Sequence, residues 1–189
     1  MAAGAGPGTY RVVDGARVEF ADARAAWTEP AREHLIAVAR SYNAMTTYRE
    51  LAEDVQVRSG IRTKMLPWHW IGGVLGDVAR DCHRRDEPLL SALCVHSDGT
   101  VGKGYALATR ENYGIDPSDP DLHAAEERLR CYRHFGAVLP ADGGRPQLPG
   151  KLASRRERAR RRPMPETRRA PCPTCFVELP ISGECGNCS

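Results

Sequence analysis

Apolar residues recur every three or four positions in several segments of the chain, which is the spacing of amphipathic helices. The first such segment follows Pro30, a residue that the first turn of a helix tolerates. Its apolar positions are Leu35, Val38, Ala39 and Tyr42. Upstream, residues 9–20 alternate around an Asp-Gly pair, a pattern that favours a β-hairpin. We therefore expect an N-terminal extension with a hairpin, followed by a helix that begins near Pro30.

Two further helical repeats follow. Thr47 and Glu50 form a Thr-x-x-Glu capping box, which predicts the start of the second helix. The third helix is expected near Pro67, with an apolar stripe of Trp68, Ile71, Leu75, Val78 and Cys82. Glycines interrupt this helix although each costs about 1 kcal/mol relative to alanine. Tight helix packing or the close approach of another group would explain Gly72, Gly73 and Gly76.

The hydrophobic period changes after Pro88. Residues 89–95 form a nearly continuous apolar run, which is the pattern of a buried strand. Residues 97–100 have the composition of a hairpin turn, and residues 101–106 are expected to return as a second strand. A further helix is predicted downstream, capped by Asp119 and ending at Gly136.

Three short helices followed by a two-stranded hairpin is the order of a winged helix-turn-helix domain. In that fold the third helix enters the major groove and the wing lies near the nucleic-acid backbone. The fold class is therefore α+β, with four expected regions. They are an N-terminal extension (1–28), a winged-helix-like domain with an added helix (29–137), a basic disordered linker (138–171) and a zinc knuckle or ribbon (172–189).

Positive charge is concentrated towards the end of the chain. Residues 140–171 hold ten Lys or Arg and three Asp or Glu, a net charge of +7, whereas the whole chain carries +3. A basic segment of this kind is a common electrostatic footprint for nucleic acid, although a solvated linker has the same composition. The start of the chain lacks the pattern of a secretory signal, and no stretch has the roughly 20 apolar residues of a membrane span. We expect a soluble cytoplasmic protein, nucleoid-associated if it binds DNA.

Two Cys-x-x-Cys pairs, nine residues apart, end the chain: Cys172, Cys175, Cys185 and Cys188. Two thiolates at this spacing converge on one ion from a tight turn, and two such turns complete a tetrahedral site. Two disulfides or an iron–sulfur cluster are the alternatives, and the lack of a secretory signal disfavours disulfides. The expected cofactor is zinc in a structural role, because four thiolates leave no open coordination position.

Short motifs between residues 46 and 106 carry a family resemblance. They are Thr-Thr-Tyr-Arg-Glu-Leu-Ala at 46–52, Ile-Gly-Gly-Val-Leu-Gly at 71–76, Asp98-Gly99 and Gly104-Tyr105. This stretch resembles the winged-helix domain of alkylguanine-DNA alkyltransferases and alkyltransferase-like proteins. It also resembles actinobacterial proteins in which such a domain can precede a cysteine-rich end. The resemblance implies a DNA-binding domain.

The alkyl transfer of that family does not carry over to this chain. The family's nucleophile lies in a Pro-Cys-His-Arg motif just before the wing, whereas Asp81 precedes the Cys-His-Arg at 82–84 here. Cys82 also falls on the apolar stripe, and Cys94 has no preceding proline. An alkyl-accepting thiol must form a thiolate, activated by a histidine or a positive field. We therefore expect structural cysteines and no catalytic residue.

These patterns together predict a non-enzymatic nucleic-acid-binding protein whose target is DNA. A recognition helix reaches base edges with its amino-terminal part, and basic residues of a wing or linker suit phosphates. The expected contacts are Arg58, Arg62, Lys64, His69, Lys103, Arg155, Arg156, Arg158, Arg160, Arg161 and Arg162. The alternatives are a protein-interaction adaptor that uses the zinc unit and, less favoured, an alkyltransferase-like repair protein. No membrane or small-molecule partner is expected.

Overall fold

The computed structural model describes residues 8–161, 171–179 and 184–188. The chain divides into two compact units, residues 1–153 and 154–189. The helices in the described residues are α1 (Phe20–Ala39), α2 (Tyr48–Ser59), α3 (Ile71–Arg84), α4 (Lys103–Tyr113), α5 (Pro120–His134) and α6 (Gly150–Arg161). The strands are β1 (Thr9–Arg11), β2 (Thr46–Thr47), β3 (Ile61–Thr63) and β4 (Cys94–Val95). The chain is therefore mostly helical with small two-stranded sheets, which confirms the α+β class.

The N-terminal segment is held mainly by a later part of the chain. β1 pairs antiparallel with β3, and Tyr10 lies opposite Arg62. An isolated bridge joins Tyr10 to Arg17 across the Asp-Gly turn, and the N–H groups of Arg11 and Val18 donate to the carbonyls of Ala16 and Thr9, so the predicted hairpin forms only as a short turn with these contacts. The hydroxyl of Thr9 donates a hydrogen bond to Oγ1 of Thr63 at 3.2 Å. The segment after α2 thus supplies the partner strand that a free hairpin would lack.

Helix α1 is longer than the hydrophobic pattern predicts. It begins at Phe20, so the prediction of a start near Pro30 is wrong, and Pro30 lies inside the helix. Ala23 and Trp27 are fully buried and extend the apolar stripe upstream of the proline. Truncating a buried tryptophan costs about 3–5 kcal/mol. Burial of this size offsets the roughly 3 kcal/mol that an internal proline costs a helix.

Helices α1, α2 and α3 surround one apolar core. Trp27 and Trp70 stack in this core with their ring centroids 4.3 Å apart. Trp68 was expected on the core stripe, but it belongs to a short 3-10 turn (Pro67–His69) and is 66% exposed. The predicted stripe is therefore wrong at this position, where the irregular turn replaces the first helical turn. Cys82 is fully buried in the same core, as predicted.

A buried ionic cluster ties α1 to the end of α3. Arg32 contacts Asp81 at 3.0 Å and Glu87 at 2.8 Å, and its side chain is only 8% exposed. Removing one partner of a buried ion pair typically costs about 3–5 kcal/mol, because the remaining charge is left uncompensated. The cluster therefore resists any sliding of α3 along α1.

The start of α2 follows the prediction. Oγ1 of Thr47 accepts a hydrogen bond from the N–H of Glu50 at 3.2 Å. The Glu50 carboxylate accepts one from the N–H of Thr47 at 2.7 Å, so the capping box is complete. β2 lies immediately upstream and pairs in parallel with β4. This pairing places the start of α2 beside the loop that follows β4.

The predicted β-hairpin wing does not form. Residues 90–93 are a short 3-10 turn, and β4 adds only two residues. The tight turn at Gly99 is present, with its N–H donating to the carbonyl of His96 at 2.8 Å. The returning segment then becomes α4 instead of a strand. Tyr105 and Ala108 lie three residues apart and are buried with Ala79 of α3, which is helical spacing.

The basic segment is helical over part of its length. α6 covers residues 150–161, so the prediction of a disordered linker is wrong there, while residues 162–170 lie outside the described part of the chain. Leu152 in its first turn is 1% exposed. A Cβ placed on Gly99 would lie 3.3 Å from Cβ of Leu152, and Lys151 Nζ donates to the carbonyl of Ser97 at 3.1 Å. These contacts anchor the start of α6 to the 97–99 turn.

Helix α5 begins as predicted. The carboxylate of Asp119 accepts hydrogen bonds from the N–H groups of Asp121 and Leu122, and Pro120 is the first helical residue. Gly136 follows the helix in the left-handed region with a φ of 80°. Among the helices in the described residues, none is long and apolar enough to span a bilayer.

Candidate nucleic-acid interface and metal centre

A cavity of about 800 Å³ lies where α2, α3 and α4 begin. Its wall includes Tyr48 of α2, Ile71 and Leu75 of α3, and Tyr105 of α4. These side chains make the interior largely apolar. The three helices reach the cavity with their amino-terminal ends, so their backbone N–H groups are concentrated around one opening.

Two different structural features explain why α3 contains glycines. A Cβ at Gly73 would lie 3.2 Å from Nε of Arg24, whose guanidinium pairs with Asp77 at 2.5 Å. Gly73 therefore permits close packing of α1 on α3. Gly72 and Gly76 lie about one helical turn apart on the cavity wall, where a Cβ would meet no atom within 4 Å. Their missing side chains leave this part of the cavity open.

The cavity wall carries positive side chains and none that are negative. Of the residues that line it, Arg49, His96 and Lys103 are basic and exposed, and none is Asp or Glu. α3 and α4 both begin without a side-chain N-cap hydrogen bond and without an acidic residue in the first turn. The helix dipole and the free N–H groups at such ends favour an anion. The opening is therefore suited to a negatively charged ligand.

Tyr48 fixes the geometry of the opening. Its hydroxyl accepts a hydrogen bond from the N–H of Gly102 at 2.9 Å, and its ring packs on His96 with centroids 4.6 Å apart. Burial raises the pKa of Tyr48 to about 12, so the phenol keeps its proton at neutral pH. A Cβ at Gly102 would lie 2.6 Å from the Tyr48 hydroxyl. Glycine is therefore required for this contact between α2 and the start of α4.

Two other residues of the wall stand out. Ser91 is 6% exposed, and its hydroxyl has no hydrogen-bond partner among the described residues. An unpaired buried hydroxyl costs about 1–3 kcal/mol, and a polar ligand group in the cavity would recover that energy. Trp68 lies in the turn that precedes α3 and exposes 66% of its surface. The wall thus offers a buried polar group and an exposed aromatic face.

The predicted nucleic-acid contacts near α3 fall into two groups. Arg58 forms an ion pair with Glu33, and Arg62 pairs with Glu53 at 2.9 Å. Those acidic partners neutralise part of the charge that the arginines would present to phosphate. The other predicted contacts in this region are exposed: Lys64 directly after β3, His69 just before α3, and Lys103 at the start of α4. Of these, Lys103 lines the cavity.

The remaining predicted contacts belong to the basic segment. α6 contains Arg155, Arg156, Arg158, Arg160 and Arg161. Arg161 pairs with Glu157 at 2.7 Å, one helical turn away. Arg162 lies outside the described residues. A single helix therefore presents most of the positive charge that the sequence places in the linker.

The buried thiols of the helical core are not activated. Cys82 and Cys94 are both fully buried. Burial raises the pKa of Cys82 to about 11 and moves the pKa of Cys94 further above its ordinary value. Both side chains are therefore neutral thiols near pH 7, and a neutral thiol is a poor nucleophile.

The four terminal cysteines come together. Their Sγ atoms all lie within 4.8 Å of one another, and those of Cys175 and Cys185 are 3.5 Å apart. The first turn is closed by a hydrogen bond from the N–H of Phe176 to the carbonyl of Cys172 at 2.9 Å. Backbone N–H groups of Cys175 and Thr174 lower the pKa of Cys172 to about 6, which favours the metal-binding thiolate. The cluster can hold a metal ion such as zinc.

The sequence predicted Lys103 as a contact on a wing, but it did not identify Arg49 or Ser91 as parts of a site or Lys103 as the start of a helix. Gly72 and Gly76 are the sequence feature that could have indicated this site, because residues four apart lie on the same face of a helix. A pair of glycines on one face marks either a packed neighbour or an open cavity. Only the position of α4 shows that the open cavity applies here.

Comparisons with models of known protein families, with curated proteins and with solved structures find no significant match for this chain. The resemblance of residues 46–106 to alkyltransferase-like domains therefore rests on its short motifs. The geometry of the cavity and of the cysteine cluster is the basis for any functional conclusion.

Proposed function

We propose that this chain is a non-enzymatic nucleic-acid-binding protein whose target is DNA. The observation that carries the proposal is the positive, carboxylate-free opening onto which α3 and α4 direct their amino-terminal ends. Phosphates bind readily at such ends, since both the N–H groups and the dipole favour negative charge. Exposed Lys64 before α3 and Lys103 at the start of α4 add positive charge, and His69 offers a hydrogen-bonding ring just before α3.

Helices α2 and α3 stand in helix-turn-helix order, and we assign α3 as the recognition helix. In such domains the amino-terminal residues of that helix reach base edges. His69 lies in the turn just before α3 and Gly72 in its first turn, and the glycine allows a close approach of the backbone. The start of α4 takes the place of a wing in this proposal, with Lys103 at a phosphate.

The C-terminal part of the chain supplies the second element of the proposed function. The arginines of α6 add affinity that does not depend on base sequence. The cysteine cluster holds zinc in a structural role, because four thiolates fill its coordination shell. The neutral, buried state of Cys82 and Cys94 supports binding over alkyl transfer, which requires a thiolate.

Salt-dependent binding tests the proposal. Fluorescence anisotropy with a labelled duplex of about two helical turns is measured between about 50 and 200 mM salt. The double variant Lys64→Ala, Lys103→Ala is expected to lose affinity for all sequences and to flatten the log–log salt slope by about 1–2. The control Arg110→Ala removes an exposed charge of α4 outside the cavity wall. Absence of binding to DNA and RNA at low salt would contradict the proposal.

A protein-interaction adaptor is the second candidate, and the surface of the cysteine unit favours it. Phe176 and Val177 are 79% and 52% exposed, and Glu178 follows them directly. A zinc ion with four thiolates adds two further negative charges, so this surface suits a basic, partly apolar protein segment better than phosphate. A pull-down with the full chain, analysed for nucleic acid and for protein after nuclease treatment, separates the two functions.

A further inference from the structure

Trp68 is presented to solvent by a rigid turn. The N–H of His69 donates to the carbonyl of Leu66 at 3.0 Å, and the N–H of Trp70 donates to that of Pro67 at 3.2 Å. Trp70 is then fixed in the core against Trp27. The backbone of the turn is therefore fixed by these hydrogen bonds and by the buried Trp70, while the indole of Trp68 remains 66% exposed. An exposed tryptophan on a fixed backbone loses little conformational entropy when a flat group stacks on it.

The surroundings of Trp68 limit the ligand that would cover it. Leu66, also at the cavity wall, is 51% exposed and extends the apolar surface. Arg49 and Lys103 line the same cavity and are exposed, Lys64 and His69 are exposed neighbours of the pair in the sequence, and no Asp or Glu lines the cavity. Apolar surface within a positive rim complements a ligand with flat apolar faces on a negatively charged chain. A nucleic-acid strand with accessible base faces has this chemistry.

We propose that Trp68 is a base-stacking residue and that the chain binds unpaired nucleotides in preference to a fully paired duplex. This inference rests on the proposed nucleic-acid binding. In a duplex the faces of the bases are covered by their neighbours, so a paired region can contact this surface through base edges and phosphates but cannot stack on the indole. A single strand can place one base on the indole while its phosphates lie near Lys64 and Lys103. The stacked base is the contact that the duplex cannot make.

Two measurements on the full-length, metal-loaded protein test the inference. Anisotropy at about 50 mM salt compares a labelled single-stranded oligodeoxynucleotide with the same strand annealed to its complement. Tryptophan fluorescence is then titrated with the unlabelled single strand. The chain has three tryptophans. Trp27 and Trp70 are 0% and 2% exposed, so quenching reports mainly on Trp68.

We expect the single strand to bind several-fold more tightly than the duplex and to quench the fluorescence. Trp68→Ala should lower the affinity for the single strand about tenfold and the affinity for the duplex less than about twofold. Trp68→Phe should restore most of the loss, because a phenyl ring also stacks. The control Leu107→Ala truncates another exposed apolar residue, outside the cavity wall, and should change neither affinity.

The possible failures are distinguishable. If neither oligonucleotide binds, the proposed function itself is wrong. If both bind and Trp68→Ala weakens them equally or not at all, the stacking inference is wrong while nucleic-acid binding stands. A third arm uses an acidic peptide of alternating Glu and Tyr. If it quenches Trp68 and competes with the single strand at similar concentration, the surface is a protein-docking site and the stacking inference is overturned.

Discussion

Removal of the metal should unfold the segment that contains Cys172, Cys175, Cys185 and Cys188, here called the cysteine unit, while the helices of residues 1–153 stay folded. The perturbation is either a chelator or the substitution Cys175→Ser, which removes one of the four thiolates. The control is Thr174→Ala, a change in the same turn at a residue that contributes no ligand. We expect about one zinc per chain in the native protein and in the control, and a large loss of zinc in Cys175→Ser.

The size of the effect follows from the geometry of the unit. Zn–S bonds of about 2.3 Å in a tetrahedron require S···S edges of about 3.8 Å. The sulfurs already lie within 4.8 Å, so ligation needs movements of about 1 Å or less. Among the described residues of the unit, Phe176 is 79% and Val177 52% exposed, so these two side chains bury little apolar surface. Structural zinc contributes about 10–16 kcal/mol of apparent binding free energy in small zinc units, far more than the exposed apolar side chains of the described residues could supply.

The assay combines metal analysis, cobalt substitution and thermal unfolding. Cobalt bound by four thiolates in a tetrahedral site should give intense ligand-to-metal charge-transfer and d–d absorption bands. The chelator should make the cysteine unit sensitive to protease while the melting of the helices changes by less than about 2 °C. A protein purified without chelator that contains no metal, with its thiols free or paired as disulfides, would refute the reasoning.

The remaining predictions concern the buried thiol of Cys82 and Gly102, which lines the cavity. Cys82→Ala should cost on the order of 1 kcal/mol in urea unfolding and leave DNA binding intact; an alkyl adduct on Cys82, found by mass spectrometry after incubation with duplex DNA that contains an alkylated guanine, would contradict this. Gly102→Ala should destabilise the fold by about 1–3 kcal/mol, because its Cβ would lie 2.6 Å from the Tyr48 hydroxyl. Gly104→Ala is the control, since its Cβ meets nothing within 4 Å, and equal stabilities of the two variants would disprove the role of the Tyr48 contact.

The sequence predicted correctly those helix starts that are determined by residues close together in the chain. The capping box at Thr47 and Glu50 marks α2, and the Asp119 cap with Pro120 marks α5, because each helix start is fixed by residues within three positions. The cysteine spacing predicted the cluster for the same reason, since each pair needs only one turn.

The predictions were wrong where contacts with residues distant in the sequence determine the secondary structure. Residues 101–106 resemble a strand, but Tyr105 and Ala108 are buried with Ala79 of α3, so the segment forms α4. Pro30 suggested a helix start, but α1 begins ten residues earlier, at Phe20, and the buried Trp27 stabilises this upstream part. In each case burial against a residue remote in the sequence outweighed the local preference.

The helix in the basic segment illustrates the same limit. Its arginine-rich sequence lacks a wide apolar face, so periodicity alone gives no reason to predict a helix. The one buried side chain, Leu152, lies in the first turn and packs beside Gly99, about fifty residues upstream. The effect of this single apolar contact can be predicted only when the position of the 97–99 turn is known.

The position of the cavity has a practical consequence for finding its ligand. Tyr48, Ile71 and Lys103 come from three separate segments, so their joint surface exists in the native state and is lost on unfolding. Any compound or oligonucleotide that occupies it must therefore raise the melting temperature by mass action. At a free concentration of 100 times Kd the stabilisation is about 2.7 kcal/mol. For a unit of this size that corresponds to a rise of roughly 5–10 °C, which a thermal-shift screen of mononucleotides and short oligonucleotides resolves without knowledge of the natural target.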